Sequence, residues 1–268
     1  MSDHARHDAG TGAGFAGLPP VSTVGHRYEH APIVEASIEL GVSADPSMRV
    51  GDLAAILDNP EYAELQEIYD ESNSEWNEAG ERTTSRSVSG YRALSADGSH
   101  GVTVKLDRYE FSLLSQYRDW SDFLSAVERC WDLYRKVASP QQVTSATVRF
   151  VNLIQVQKEQ YEVRDYLRTA FDVSPYLPQV VSGFFSQVGI PLTTVFEDFS
   201  PECIITVAST PPGQRGMILD ISVGIEVNLD TQKPEFGDSL LGILSKLRHA
   251  KNYVFESCIT DATRNLIS

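Results

Sequence analysis

The chain has 268 residues and a formal net charge of −15, with 37 acidic side chains against 22 Lys and Arg. This charge repels nucleic-acid phosphates and anionic membrane surfaces, so we expect neither direct nucleic-acid binding nor membrane association. No stretch approaches the roughly 18 apolar residues of a membrane span, and no basic segment followed by an apolar one opens the chain.

The cysteines predict a reducing compartment. Cys130, Cys203 and Cys258 are widely spaced, odd in number and form no CxxC pair. This pattern is typical of buried or free thiols, and we expect a cytoplasmic protein.

Residues 1–31 are predicted to be a disordered tail, because they are rich in Gly, Ala, Ser and His and show no apolar period. The tail contains a GxGxxG match at 12–17. Since no strand precedes it to form a dinucleotide site, we assign it no cofactor. The folded part begins near Pro32, where alternation over 33–40 predicts a half-buried strand.

The next elements are predicted as two helices and three strands. The helices cover 50–57 and 60–75, the second with Asn59 as N-cap and Pro60 at its first position. Strand patterns follow at 86–94, 102–106 and 109–113. A helix that begins at Ser121 and a long strand over 143–156 complete this half.

The second half repeats this order. A short helix near 163–171 precedes strands near 180–189, 192–198, 203–209 and 217–228. A long helix is then predicted from Asp238 to Ser257.

Both halves therefore indicate a strand meander followed by a long helix. We predict an α+β protein of two lobes, 32–158 and 159–268, each a mainly antiparallel sheet with helices packed on one face. An internal duplication would explain the repeated order, although no residue-level repeat accompanies it.

The segment between Arg49 and Arg82 is unusually acidic, with ten carboxylates and no Lys or Arg. The predicted helix places Glu64, Glu67, Glu71 and Glu75 largely on one side. This surface would either be a solvated face that maintains solubility or a docking site for a basic partner protein. No loop converges the carboxylates, so we predict no metal site.

Two polar residues interrupt the apolar strand over 143–156. Arg149 and Asn152 must find hydrogen-bond partners if they are buried. We expect Arg149 to pair with a carboxylate on a neighbouring strand, with Glu35 as the candidate. The alternative is that Arg149 and Asn152 line a ligand-binding face.

The sequence contains no P-loop, HExxH, GxSxG or kinase motif, so it assigns no catalytic residue. His100 lies in a predicted turn and could pair with an acid. An enzyme with an active site between the lobes remains the alternative, with Arg149, Asn152, Glu35 and His100 as its first candidates.

Three segments resemble a sporadically distributed, uncharacterised family of bacterial proteins. They are Pro32-Ile33-Val34-Glu35-Ala36, Arg149-Phe150-Val151-Asn152, and Phe255 to Asp261 with its Ser257-Cys258-Ile259-Thr260-Asp261 ending. Their order and spacing match the family pattern, and residues 1–31 lie outside it.

The resemblance implies a discrete cytosolic protein and supplies no activity, cofactor or catalytic residue. A scattered distribution is typical of mobile genes, including antiphage defence and toxin–antitoxin genes. We therefore expect a non-enzymatic protein-interaction module, binding a basic partner protein or a second copy of itself, in bacterial defence or toxin neutralisation.

Overall fold

The computed structural model describes residues 25–58, 60–76, 82–158, 160–169, 172–211 and 213–268. The side chains of residues 64, 71–76 and 82–85 also lie outside this description. Most of the predicted tail, including the GxGxxG match, falls outside the described residues, and so does the predicted N-cap Asn59.

The described chain is a mixed α+β protein built on a large antiparallel sheet. Its strands are β1 Ile33–Ser43, β2 Tyr62–Trp76, β3 Arg82–Ser95, β4 His100–Lys105, β5 Arg108–Leu113, β6 Gln142–Ile154, β7 Phe185–Pro191, β8 Glu202–Ser209 and β9 Met217–Asp230. Its α-helices are α1 Ala54–Leu57, α2 Trp120–Ala138, α3 Val163–Tyr166, α4 Phe236–Cys258 and α5 Asp261–Ile267, and a 3₁₀ turn covers Val50–Leu53. No helix in these ranges is long and apolar enough to cross a membrane.

The nine strands form one sheet in the order β2-β3-β4-β5-β1-β6-β9-β8-β7. The two predicted lobes are not confirmed as separate sheets, because β6 of the first half pairs with β9 of the second from Gln142↔Asp230 to Ile154↔Met217. The sheet therefore passes through the predicted boundary without a break.

The predicted helix over 60–75 is wrong: these residues form strand β2, which pairs antiparallel with β3. The spacing of Leu65, Ile68 and Tyr69 fits a helical stripe, but a helix would also place like charges three and four residues apart. Pairing with β3 supplies the backbone hydrogen bonds and alternates the side chains between two faces.

Two smaller predictions also change, and one helix is added. The strand predicted over 192–198 is a turn, in which the amides of Val195 and Phe196 both donate to the Leu192 carbonyl. Strand β7 begins at Phe185 rather than near 180. Helix α5, which the sequence analysis did not predict, begins after the N-cap Thr260.

One face of the sheet carries the hydrophobic core. Residues paired across the strands lie in layers on this face, such as Ile38, Val148, Val223 and Cys203, and all four are buried. Helix α2 packs near β5, and helix α4 packs on β6 and β9. The opposite face carries polar side chains at the alternate positions.

Candidate functional site

The acidic segment lies at one end of the sheet. Strand β2 pairs with β3 along one side, and in the described part of the chain no strand pairs with its other side. Its outer backbone N–H and C=O groups are therefore available to another strand.

The four candidate glutamates do not lie on a helix, because residues 62–76 form strand β2. Positions 64 and 67 lie opposite Leu94 and Tyr91 of β3, and positions 71 and 75 follow a register shift at Ile68/Tyr69. The four positions are thus spread along the backbone of an edge strand, and the side chains of Glu64, Glu71 and Glu75 lie outside the described set.

Neighbouring elements neutralise part of this segment. Lys105 of β4 lies 3.4 Å from Asp70, and Arg129 of α2 lies 3.1 Å from Glu61. Glu67 is exposed and accepts a hydrogen bond from the Tyr69 hydroxyl. The central part of β2 therefore presents Glu67 together with an exposed aromatic ring.

A groove of about 530 Å³ lies beside Glu61, just before the first residue of β2. The turn after β3, the loop before α2 and the first turns of α2 line it, and its polar wall includes Glu61, Asp97, Ser99, His100 and Arg129. This volume falls within the range of small-molecule sites.

His100 forms part of the buried wall of the groove. Its ring stacks on Phe111 at a centroid distance of 5.2 Å, and its Nδ1 lies 3.1 Å from the Ser99 hydroxyl oxygen. Its Nε2 is buried without a hydrogen-bond partner in the described residues and lies 3.7 Å from a Glu61 carboxylate oxygen. The expected pairing of His100 with an acid is thus a close approach, longer than a hydrogen bond.

Burial lowers the pKa of His100, and the carboxylate of Glu61 opposes that effect in part. The imidazole is therefore neutral near pH 7 and able to accept a proton. The pKa of Asp97 is also lowered, because its carboxylate accepts hydrogen bonds from the Ser95 hydroxyl and from the backbone amide of Ser99.

Arg149 lies on the polar face, away from this groove. Its guanidinium donates to Asp220 on β9 at 2.7 and 3.0 Å, and it lies 3.4 Å from Glu35 on β1. The structure thus brings Arg149 and Glu35 together, and adds Asp220, which the sequence did not single out. Alternation places Asp220 at a polar position of β9, but its proximity to Arg149 follows only from the pairing of β6 with β9.

Asn152 lies on the core face and is buried. Its side-chain amide donates to the carbonyls of Phe150 and Leu219 at 3.2 and 3.0 Å. Arg149, Asn152 and His100 therefore do not converge on one site, and no three His, Cys, Asp or Glu side chains within the described ranges form a metal-binding group.

The segments that carry the family resemblance meet in the core of the fold. The first pairs with the second, from Ile33↔Asn152 to Ala36↔Phe150. In the third, buried Glu256 accepts hydrogen bonds from the Tyr28 hydroxyl at 2.7 Å and from Arg264 at 3.1 Å. These contacts join Tyr28 and helix α5 to the last turns of helix α4.

Sequence reasoning missed one surface. Residues 173–196 contain no Asp, Glu, Lys or Arg in a chain that is 22% charged. Within them Tyr176, Val180 and Phe185 are 95%, 89% and 71% exposed. The length of this uncharged run was the signal that could have identified an exposed apolar surface.

Comparison of the chain with protein-family models gives no match, and comparison with curated proteins gives none either. The resemblance to the sporadically distributed bacterial family therefore stays a prediction.

Proposed function

We propose that this chain is a non-enzymatic protein-interaction module that binds a basic, extended segment of a partner protein along β2. The observation that supports this proposal is that a 15-residue strand, acidic along its length, forms an edge of the sheet. Strand addition would use the outer backbone groups of β2 for affinity and its side chains for selectivity.

The charge of β2 favours one kind of partner. Its carboxylates oppose a second acidic strand and attract Lys or Arg, and the net charge of −15 adds long-range steering. The exposed side chains of Leu65 and Tyr69 offer apolar contacts to the same partner.

We place this module in the bacterial cytoplasm, in a defence or toxin-neutralising system. The three cysteines are free and buried, which is consistent with a reducing compartment. An acidic surface that binds a basic protein suits the neutralisation of a cationic toxin.

The test uses a labelled peptide of alternating Lys and Val as the probe, followed by fluorescence anisotropy. Replacement of Glu64, Glu67, Glu71 and Glu75 by Gln should weaken binding about tenfold or more, since four exposed ion pairs contribute roughly 0.5 kcal/mol each. The affinity of the unmodified chain should fall as salt is added.

The control carries the same charge change elsewhere, at the exposed residues Glu128, Asp132, Glu197 and Asp198. This variant should bind the peptide about as well as the unmodified chain. Equal loss in both quadruple variants would show non-specific attraction and contradict a site on β2.

The proposal extends to the origin of the fold, which we attribute to an internal duplication. The two repeats would be β1–β5 and β6–β9, so the second begins at β6 rather than at residue 159. In each repeat the last strand pairs with the first, β5 with β1 and β9 with β6. Each repeat then continues into a long helix, α2 or α4.

The second candidate function is hydrolysis in the groove beside His100. The contact between Ser99 Oγ and His100 Nδ1 favours it. Ser99 would be the nucleophile, His100 the neutral base, and Glu61 the carboxylate on the far side of the imidazole ring. Ser99 would attack an ester carbonyl and give its proton to His100. The leaving alcohol would take up that proton, and water would release the acyl group.

A fluorophosphonate probe tests this candidate. It should label Ser99 in the unmodified chain and fail to label the Ser99→Ala and His100→Asn variants, while Ser95→Ala keeps the label. Absence of labelling in the unmodified chain would contradict a nucleophilic Ser99.

A further inference from the structure

Strand β7 forms the second open edge of the sheet. It pairs with β8 along one side, and no described strand pairs with its other side. The sequence Phe-Ser-Gln-Val-Gly-Ile-Pro carries no charge. The two edges of the sheet are therefore chemically opposite, one acidic and one neutral and apolar.

The register with β8 determines which backbone groups face outward. The Ser209 amide donates to the Phe184 carbonyl, and the Leu192 amide donates to the Pro201 carbonyl. Hydrogen-bonded pairs alternate along an antiparallel ladder, so Ser186, Val188 and Ile190 direct their backbone groups to β8. Gln187 and Gly189 direct theirs to the open side.

Side chains on β7 are exposed on both faces of the sheet. Val188 and Ile190 pair with Ile205 and Cys203, which are buried on the core face, yet both remain exposed at the sheet margin. Phe185 points to the other face. Gly189 has open space around its Cβ direction, which permits another backbone to approach closely.

We propose that β7 pairs antiparallel with β7 of a second copy of this chain, about a two-fold axis at Val188. This register sets the outward N–H and C=O groups of Gln187 against those of Gly189 of the second copy, so donors and acceptors match on both sides of the axis. It also brings the two Val188 side chains together as a non-hydrogen-bonded pair.

The net charge of the chain favours a second copy as the partner that pairs with β7. Two chains of net charge −15 repel each other, so they associate where each contributes a surface without carboxylates. The edge β7 satisfies this condition, and the preceding run with Tyr176, Leu177 and Val180 extends the neutral surface. Strand β2, with its carboxylates, would oppose its own copy.

The arrangement closes at two copies. The same surface is used on both chains, which is an isologous contact, and the described strands of each chain form one such uncharged edge. Two seven-residue strands alone bury less than the roughly 1,600 Å² of a standard interface, so the apolar run before β7 must contribute. We therefore expect a dimer whose population depends on concentration.

Cysteine cross-linking tests the register. In the proposed pairing the Cα atoms of the two Val188 residues lie about 4.5 Å apart, so the Val188→Cys variant should form an intermolecular disulfide under mild oxidation. The Ser186→Cys variant should not, because residue 186 then faces residue 190 of the second copy and pairs with Val207 in its own chain. The three native thiols are buried, which keeps the background low.

Light scattering after size exclusion tests the association itself. The unmodified chain should show twice the chain mass at high concentration. The Val188→Asp variant should show the mass of one chain, since two carboxylates would meet on the axis. The matched control Leu65→Asp, at an exposed apolar position on β2, should remain dimeric.

A second variant guards against misfolding. In Gln187→Pro the lost amide is one that faces outward, so pairing with β8 and the far-UV circular dichroism should persist while the dimer is lost. A single-chain mass at every concentration for the unmodified chain would overturn the proposal. A dimer that survives in both Val188→Asp and Gln187→Pro would overturn it as well. Neither result bears on peptide binding at β2.

Discussion

Lys251 is buried on the core side of α4, an unusual position for an ammonium group. Its Nζ lies 3.8 Å from the centroid of the Phe150 ring, so the ring face replaces part of its hydration. Burial lowers its pKa to about 7; the neighbouring Arg248 adds to this shift, and Glu256 opposes it. The folded state therefore holds this proton much less tightly than the unfolded chain does.

The pH dependence of stability should reveal this lysine. Between pH about 7 and the ordinary lysine pKa of about 10.4, the unfolded chain binds more protons at this site, so the free energy of unfolding should rise with pH. The slope is at most about 1.4 kcal/mol per pH unit. The Lys251→Met variant keeps the apolar stem and should lose that slope in urea unfolding.

The exposed lysine Lys246, on the same helix, provides the control for this prediction. The Lys246→Met variant should keep the slope of the unmodified chain. An unchanged slope in Lys251→Met would show that the ammonium titrates normally in the folded state.

Strand β2 shows where single-sequence reasoning about elements fails. Strands β1 and β9 and helices α2 and α4 were predictable, because their apolar residues follow one period over eight or more positions. In β2 the apolar residues are few, and the spacing of Leu65, Ile68 and Tyr69 suits a helix. Its partner β3 begins only at Arg82, so the conformation of β2 depends on a pairing that local periodicity does not record.

Substitution of two glycines, one in α4 and one just before β9, should change the stability of the protein in opposite directions. Gly242 lies exposed within α4 with open space at its Cβ, so Gly242→Ala should stabilise the protein by about 1 kcal/mol in thermal unfolding. Gly216, just before β9, has φ of +134°, and a Cβ there would collide with the Ile154 carbonyl oxygen. Gly216→Ala should therefore destabilise the protein by about 1–3 kcal/mol. Equal effects of the two substitutions would contradict this account.

At the scale of the whole molecule, the sequence predicted the class of fold but not that the nine strands form one continuous sheet. The order of meander and helix in each half was visible from periodicity. The pairing of β6 with β9, which joins the halves, depends on the inner faces of both strands being buried by α4, and neither strand alone carries that information. The candidate site shows the same limit: the proximity of His100 to Glu61 arises from the β2–β3 pairing.

One continuous sheet predicts one cooperative unfolding transition. All three tryptophans, Trp76, Trp120 and Trp131, precede residue 158. Because Trp131 lies near Phe236 and Arg248 lies over the Trp120 ring, their fluorescence reports on the first half and on its contacts with α4. Far-UV circular dichroism reports on both halves. If β6 and β9 couple the halves, the two signals should change at the same urea concentration.

Two buried valines in opposite halves make this test sharper. Val104 on β4 and Val207 on β8 both lie in the core, and truncation of either to Ala should cost about 2 kcal/mol. In a single cooperative unit each variant should shift the fluorescence and dichroism midpoints together. If the halves unfold independently, Val207→Ala would shift the dichroism midpoint more than the tryptophan midpoint and separate the two transitions, because the sheet would then lack energetic coupling at the β6–β9 junction.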